Sequence, residues 1–221
     1  MIDWNEIDTV LLDMDGTLLD LAFDNFFWQQ YVPEQYALAR GIPEERAHRL
    51  IGEWVHSHQG TLKWYCLDFW TGELDLDVAA LKRGVAHRIA WRPGAERFLQ
   101  GLHDSGREPI MVTNAHPEVV RLKAERTGIE RYFRHLVCSH DYRAAKEEQT
   151  FWETLRGEHE FDPARTLLVD DSLPVLASAR HYGIGHLWSI LHPDSSLPPR
   201  EHTRPFPAID RFETLLPDEA S

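Results

Sequence analysis

Val10-Leu11-Leu12-Asp13-Met14-Asp15-Gly16-Thr17 is an apolar run that passes into two carboxylates and a glycine turn. The run reads as a buried strand. On a strand or its immediate extension, residues two apart share a face, so Asp13 and Asp15 point toward one site and can share one cation. Taken alone, the stretch has a plainer reading, in which Asp and Gly merely end a strand. A calcium loop counted from Asp13 would need Gly at its sixth position and a bidentate Glu at its twelfth. The chain has Leu18 and Asp24 there, and that reading fails.

Around this strand, short apolar runs at residues 7–13, 109–113, 135–139, 166–170 and 186–190 predict five strands. Helical patterns fall between the last four, at 118–127, 147–159 and 174–182, with Gly128 and Gly183 as stops. Alternating strand and helix predicts an α/β fold, a Rossmann-like parallel sheet with helices on both faces. Ligands in such folds bind beyond the carboxyl ends of the strands, where strand order reverses. One interval breaks the alternation. From about residue 24 to 88 the chain reads as helical throughout, with helices at 25–39, 44–58, 62–71 and 78–87. This predicts a catalytic core from 1–22 and 90–221 and an inserted helical cap from 23–89 over the catalytic end of the sheet. The tail from His192 is Pro-rich, with a short segment at 212–216 expected to dock on the core.

Composition narrows the function. The 221 residues suit one domain with an insertion, and 43% hydrophobic with 27% charged residues is ordinary for a globular protein. No apolar run approaches the roughly 20 residues of a membrane span, and Met-Ile-Asp-Trp-Asn-Glu is acidic where a signal peptide is basic, so a cytoplasmic protein is expected. A net charge of −13 argues against nucleic acid or an anionic membrane as partner. An anionic substrate would then need local positive charge at its site. Cys66 and Cys138 have no ligand partners at short spacing, which speaks against a disulfide or a zinc motif, and both are expected as buried thiols. A monomer or weak dimer is expected.

The later strands end in groups suited to phosphate. The second runs into Thr113-Asn114, which offers a hydroxyl and backbone amides; the fourth runs into Asp170-Asp171, a second acidic pair that burial would make costly without a cation. Lys146 follows the third and can neutralise a phosphate or an aspartate. In this order, Asp13-Met-Asp15-Gly-Thr17, Thr113-Asn114, Lys146 and Asp170-Asp171 resemble the four signature motifs of the haloacid dehalogenase (HAD) superfamily, and the helical insertion resembles its C1-type cap.

The resemblance implies a magnesium-dependent phosphomonoester hydrolase, with Mn²⁺ as the possible alternative ion. Asp13 would be the nucleophile that forms an aspartyl-phosphate, and Asp15 the general acid and base. Asp13, the main-chain carbonyl of Asp15, and Asp170 would hold the metal. Asp171 would support it or fix Lys146, while Thr113, the amide of Asn114 and Lys146 would bind the phosphoryl group. A carboxylate two residues after the nucleophile separates phosphate enzymes from the dehalogenases that share the fold. Relatives often carry Pro before the motif Lys, where this chain has Ala145.

In the cap, Leu62, Tyr65, Cys66 and Phe69 have helical spacing and predict an inward stripe, leaving Trp64 and Asp68 on the opposite side as candidate substrate contacts. An indole there could stack on a base and a carboxylate could accept from ring N–H groups; packing of Trp64 on another cap helix is the plainer reading. His116, which follows Thr113-Asn114-Ala115 at the expected mouth of the site, is a further candidate. Across residues 8–28, 62–70, 113–117 and 146–149 the chain is similar to the bacterial GMP/IMP-specific 5′-nucleotidase branch of the superfamily, which implies a purine nucleotide as substrate. A sugar-phosphate phosphatase or phosphomutase is the alternative that the core motifs equally permit.

Overall fold

The computed structural model describes residues 2–215. Six strands form one parallel sheet in the order β3-β2-β1-β4-β5-β6. They are β1 (Thr9–Leu12), β2 (Ile110–Thr113), β3 (His135–Cys138), β4 (Thr166–Val169), β5 (His186–Ile190) and β6 (Ala208–Ile209). The five strands expected from the sequence are all present. The two-residue β6, paired in parallel with β5, carries no periodic signal and was not anticipated.

From β1 the chain builds outward through β2 and β3 on one side, then returns to add β4, β5 and β6 on the other. The reversal therefore lies at β1, and the carboxyl ends of β1, β2 and β4 flank the crevice that doubly wound sheets use for ligands.

Side-chain alternation along β1 feeds two apolar layers. Val10 and Leu12 pack with Phe98, Met111, Val169 and Phe212 on one face. Leu11 packs with Val112, Phe151, Trp152 and Leu168 on the other. The first layer is covered by a helix, Ala95–Asp104, that the sequence reading passed over. Its buried residues Ala95, Phe98, Leu99 and Leu102 have the i, i+3, i+4, i+7 spacing of an amphipathic helix. The docking segment expected near the end of the tail is a single turn, Phe212–Leu215, with Phe212 stacked on Phe98 at 5.2 Å between ring centroids; Leu216 lies outside the described residues.

Between β1 and β2 the chain is helical from Ala22–Phe26 to Ala86–Arg88. Phe23, Phe27, Val32, Ile51, Leu67, Trp70, Leu74 and Val78 give this insertion an apolar core of its own. The helix expected at 62–71 is two helices, Leu62–Tyr65 and Leu67–Leu74, separated by Cys66 in an extended conformation. The break is held by tertiary bonding, since the Trp70 indole donates to the Trp64 carbonyl.

The break overturns the face assignment made for a continuous helix. Tyr65 reaches out to Glu147, Cys66 leaves the apolar stripe, and Leu67, Trp70 and Leu74 form the buried side. No helix among the described residues is long and apolar enough to cross a membrane.

Candidate active site

Asp13 lies one residue beyond β1, with its amide bonded to the Val169 carbonyl at the end of β4. Asp170 follows β4 directly. The Lys146 ammonium lies between the two carboxylates, 2.6 Å from Asp13 Oδ1 and 2.7 Å from Asp170 Oδ2, and donates a third bond to the Val112 carbonyl on β2. All three side chains are buried. Two carboxylates this far from water would each carry a penalty of several kcal/mol without a cation.

Lys146 is positioned by its neighbours. Its amide donates to Asn114 Oδ1 at 2.9 Å, its carbonyl accepts from the Trp152 indole, and Ala145 is fixed through Glu148. Trp152 and Glu148 thus constrain the backbone here without a preceding proline. The Asn114 side-chain amide donates to Glu147, whose other oxygen accepts from the Tyr65 hydroxyl of the insertion. The Thr113 hydroxyl oxygen accepts from the Ala115 amide, which leaves its hydrogen available to donate.

Gly16 turns the chain after Asp15 with φ +78°, and a Cβ there would stand 2.7 Å from Asp171 Cγ. Glycine is needed on both counts. Thr17 Oγ1 accepts from the Asp171 amide, so the loops after β1 and β4 are joined. Asp171 is fixed by Arg200, which donates to its carbonyl at 2.6 Å and its carboxylate at 3.2 Å. Its partner is therefore Arg200; Lys146 bonds Asp13 and Asp170. Carboxylate oxygens of Asp13, Asp170 and Asp171 all lie within 4.8 Å of one another. A cluster of hard oxygen donors of this kind suits Mg²⁺ or Mn²⁺.

Asp15 belongs to a second charged chain, whose other members the sequence reading missed. Lys123 donates to Asp15 Oδ1 and to Asp24 Oδ2, both at 2.5 Å, and Lys82 donates to Asp24 Oδ1 at 2.7 Å. Lys123 and Lys82 are buried, each four residues after a buried valine, Val119 and Val78, and so on the inward face of its helix. The alternation of charge, acid–base–acid–base, runs from the loop after β1 to the Val78–Gly84 helix of the insertion.

Burial raises the carboxyls of Asp13 and Asp15 to about 6, against the opposing pull of Lys146 and Lys123 respectively. Burial also acts to raise Asp24, but Lys123 and Lys82 together outweigh it and hold that group at about 2. Asp171 lies well above the usual carboxylate range through burial and the nearby charges of Asp13 and Asp170. Acids this crowded gain from a divalent cation.

The remaining candidates lie at the rim. Trp64 is half-buried and edge-on to Tyr65 at 4.8 Å, packed against the apolar core of the insertion. Asp68 is exposed, with Oδ2 3.7 Å from His116 Nε2. His116 caps the Pro117–Thr127 helix, its Nδ1 accepting from the Glu118 amide.

The family model for haloacid dehalogenase-like hydrolases matches residues 7–183. Over 216 residues the chain is 38% identical to the GMP/IMP nucleotidase YrfG of Escherichia coli K12, covering 98% of this chain and 97% of that protein. It is 24% identical over 177 residues to the pyrimidine 5′-nucleotidase YjjG of the same organism, covering 75% and 77%. Among solved structures, a HAD phosphatase from Thermococcus onnurineus superposes with a TM-score of 0.76 at 23% identity, covering 95% and 96% of the two chains. The four motif segments converge at the crevice between β1, β2 and β4, and the chain belongs to the haloacid dehalogenase-like hydrolase family.

Proposed function

We propose that the protein is a Mg²⁺-dependent phosphomonoester hydrolase, with Mn²⁺ able to substitute, that acts on GMP and IMP through an aspartyl-phosphate on Asp13. The observation that carries this reading is the buried Asp13–Lys146–Asp170 bridge, with a second carboxylate, Asp15, two residues from the nucleophile and held by a different lysine.

Lys146 fixes one oxygen of Asp13, and with it the orientation of the carboxylate. A carboxylate oxygen of Asp13 attacks phosphorus and the bond to the 5′ oxygen breaks. Asp15, whose raised pKa leaves part of it protonated near neutrality, gives its proton to the departing alkoxide. The ionised Asp15 then takes a proton from the water that cleaves the acyl phosphate. The Thr113 hydroxyl and the Asn114 backbone amide hold the phosphoryl oxygens, and the charge of Lys146, or one of its N–H groups released from the Val112 carbonyl, supports them. Asp13, the Asp15 main-chain carbonyl and Asp170 would bind the metal, supported by Asp171. When bound, the ion supplies charge that offsets the phosphoryl oxygens and the crowded acids.

The insertion, residues 23–89, acts as the cap of a core made of 1–22 and 90–221. Its Tyr65 reaches Glu147 beside Lys146, and its Asp24 accepts from Lys123 of the core. Purine specificity rests on the 38% identity to a GMP/IMP nucleotidase across nearly the whole of both chains. A phosphate-release panel of GMP, IMP, AMP, UMP, CMP and hexose phosphates tests it. GMP and IMP should exceed the others in kcat/KM by at least about tenfold, a difference of roughly 1.4 kcal/mol in transition-state binding. Hexose phosphates ahead of both purines would point to the sugar-phosphate alternative.

Lys123 touches no reacting atom in this scheme; it is a positioning residue for Asp15. Replacing Lys123 with Met should lower kcat/KM for GMP by at least about 100-fold, the usual contribution of a placed general acid. p-Nitrophenyl phosphate, whose leaving group needs no proton, should keep its kcat/KM within a few-fold, because that ratio reports only the steps up to aspartyl-phosphate formation. Equal losses on both substrates would show that Lys123 merely supports the fold.

The raised Asp13 carboxyl sets the sign of a pH effect. In the metal-free protein its contribution to stability is fully present below the unfolded pKa and is lost as pH rises through about 6. Metal binding needs the ionised form, so protons compete with Mg²⁺. The rise in Tm produced by Mg²⁺ should therefore be larger at about pH 7.5 than at about pH 5. An equal rise at both would detach the ion from these carboxylates.

A further inference from the structure

Cys66, His116 and His140 are far apart in sequence and belong to no spaced ligand motif, yet the fold brings them together. One ligand atom from each lies within 4.8 Å of the other two. Cys66 is the extended residue that interrupts the insertion's helices, and this break takes its side chain out of the apolar stripe. His116 follows β2 and His140 follows β3, their rings 5.1 Å apart and edge to face. The Asp68 carboxylate stands 3.7 Å from His116 Nε2.

The cluster is not satisfied internally. His140 Nε2 is buried and has no hydrogen-bond partner, which is costly for a polar atom with access to neither water nor protein. Burial and the neighbouring His116 hold the His140 imidazole below its usual range, so it is neutral and keeps a lone pair. One sulfur, two imidazoles and a carboxylate are the donor types of a four-coordinate zinc ion. Bond lengths of about 2.0–2.3 Å place tetrahedral ligands roughly 3.5 Å apart, a modest contraction of the observed cluster.

We propose that Cys66, His116 and His140 form a second metal site, for a divalent ion of the zinc class, with Asp68 as the fourth ligand. Capture deprotonates the Cys66 thiol, whose proton leaves to solvent. The His116 proton moves from Nε2 to Nδ1, giving up the long 3.4 Å bond from the Glu118 amide. Cys66 and Asp68 come from the insertion, whereas His116 and His140 follow sheet strands. A bound ion therefore ties the insertion to the core beside Asn114 and slows turnover by restraining substrate entry and product release. The ligation itself is independent of the proposed hydrolytic reaction, so failure of that reading would leave the spectroscopic test unaffected.

Co²⁺ serves as the probe, added to the full chain in excess Mg²⁺ so that the oxygen-rich catalytic cluster is saturated. The expected result is a sulfur-to-cobalt charge-transfer band in the near ultraviolet with intense tetrahedral visible bands, both removed by one equivalent of Zn²⁺. Cys66→Ser should abolish the charge-transfer band, and His140→Gln should weaken Zn²⁺ binding by more than the roughly 10–100-fold that loss of an outer-shell partner costs. Cys138→Ser should leave both unchanged, because the Cys138 thiol already donates to the Ala115 carbonyl outside the cluster. Zn²⁺ should slow Mg²⁺-supported turnover of the parent and not of Cys66→Ser. Absence of the band in the parent, its persistence in Cys66→Ser, or equal Zn²⁺ inhibition of parent and Cys66→Ser would each overturn the proposal.

Discussion

Two carboxylates buried at the carboxyl ends of adjacent strands cannot persist without positive charge, and the Lys146 ammonium meets that demand. It bonds Asp13, Asp170 and the Val112 carbonyl at once, and so ties together the ends of β1, β2 and β4. Much of the surrounding loop structure serves to keep this lysine in place. Asn114 takes its amide, Trp152 takes its carbonyl, and Glu148 fixes the residue before it. An ion pair this deeply buried is weak evidence for stability, since well-packed apolar residues often replace such pairs without loss. Retaining it makes sense where the charges are used.

A second lysine solves the same problem for the other acid. Asp15 stands two residues from Asp13, and its carboxylate is held by Lys123, whereas Lys146 holds Asp13. Because Lys123 also grips Asp24, and Asp24 grips Lys82, the acid is connected to the inserted helices through four alternating charges. Movement of the insertion would be felt at Asp15 through this chain, and through the Tyr65–Glu147–Asn114 contact at Lys146. Asp13 and Asp15 are thus both linked to the inserted helices.

The sequence made the sheet and the four motif segments readable because each depends on local chemistry: aliphatic runs for strands, acids and a glycine at their ends. Gly16 is the clearest case, needing both a left-handed turn and the space beside Asp171. What remained hidden depends on tertiary partners. Lys123 and Lys82 stand four residues after Val119 and Val78, on the inward faces of their helices, but only the approach of Asp15 and Asp24 explains why a lysine is tolerated there. The break at Cys66 leaves no trace in propensity, since Leu62 to Thr71 contains neither proline nor any other breaker before the break. The Ala95–Asp104 helix has a readable periodicity in its buried residues, whereas the two residues of β6 are too few to show a period. Cys66, His116 and His140 converge only in three dimensions, which is why spacing rules argued against a thiolate site.

The central claim is that an oxygen of Asp13 becomes covalently bonded to phosphorus during turnover. Rapid acid quench of enzyme mixed with GMP and Mg²⁺, followed by proteolysis and mass spectrometry, reads this directly. The account predicts a phosphoryl group on the peptide containing Asp13, formed and lost at rates compatible with kcat. A phosphoryl group on any other residue, or hydrolysis of GMP at full rate with no phosphorylated peptide and with water oxygen transferred straight to phosphate, would contradict it.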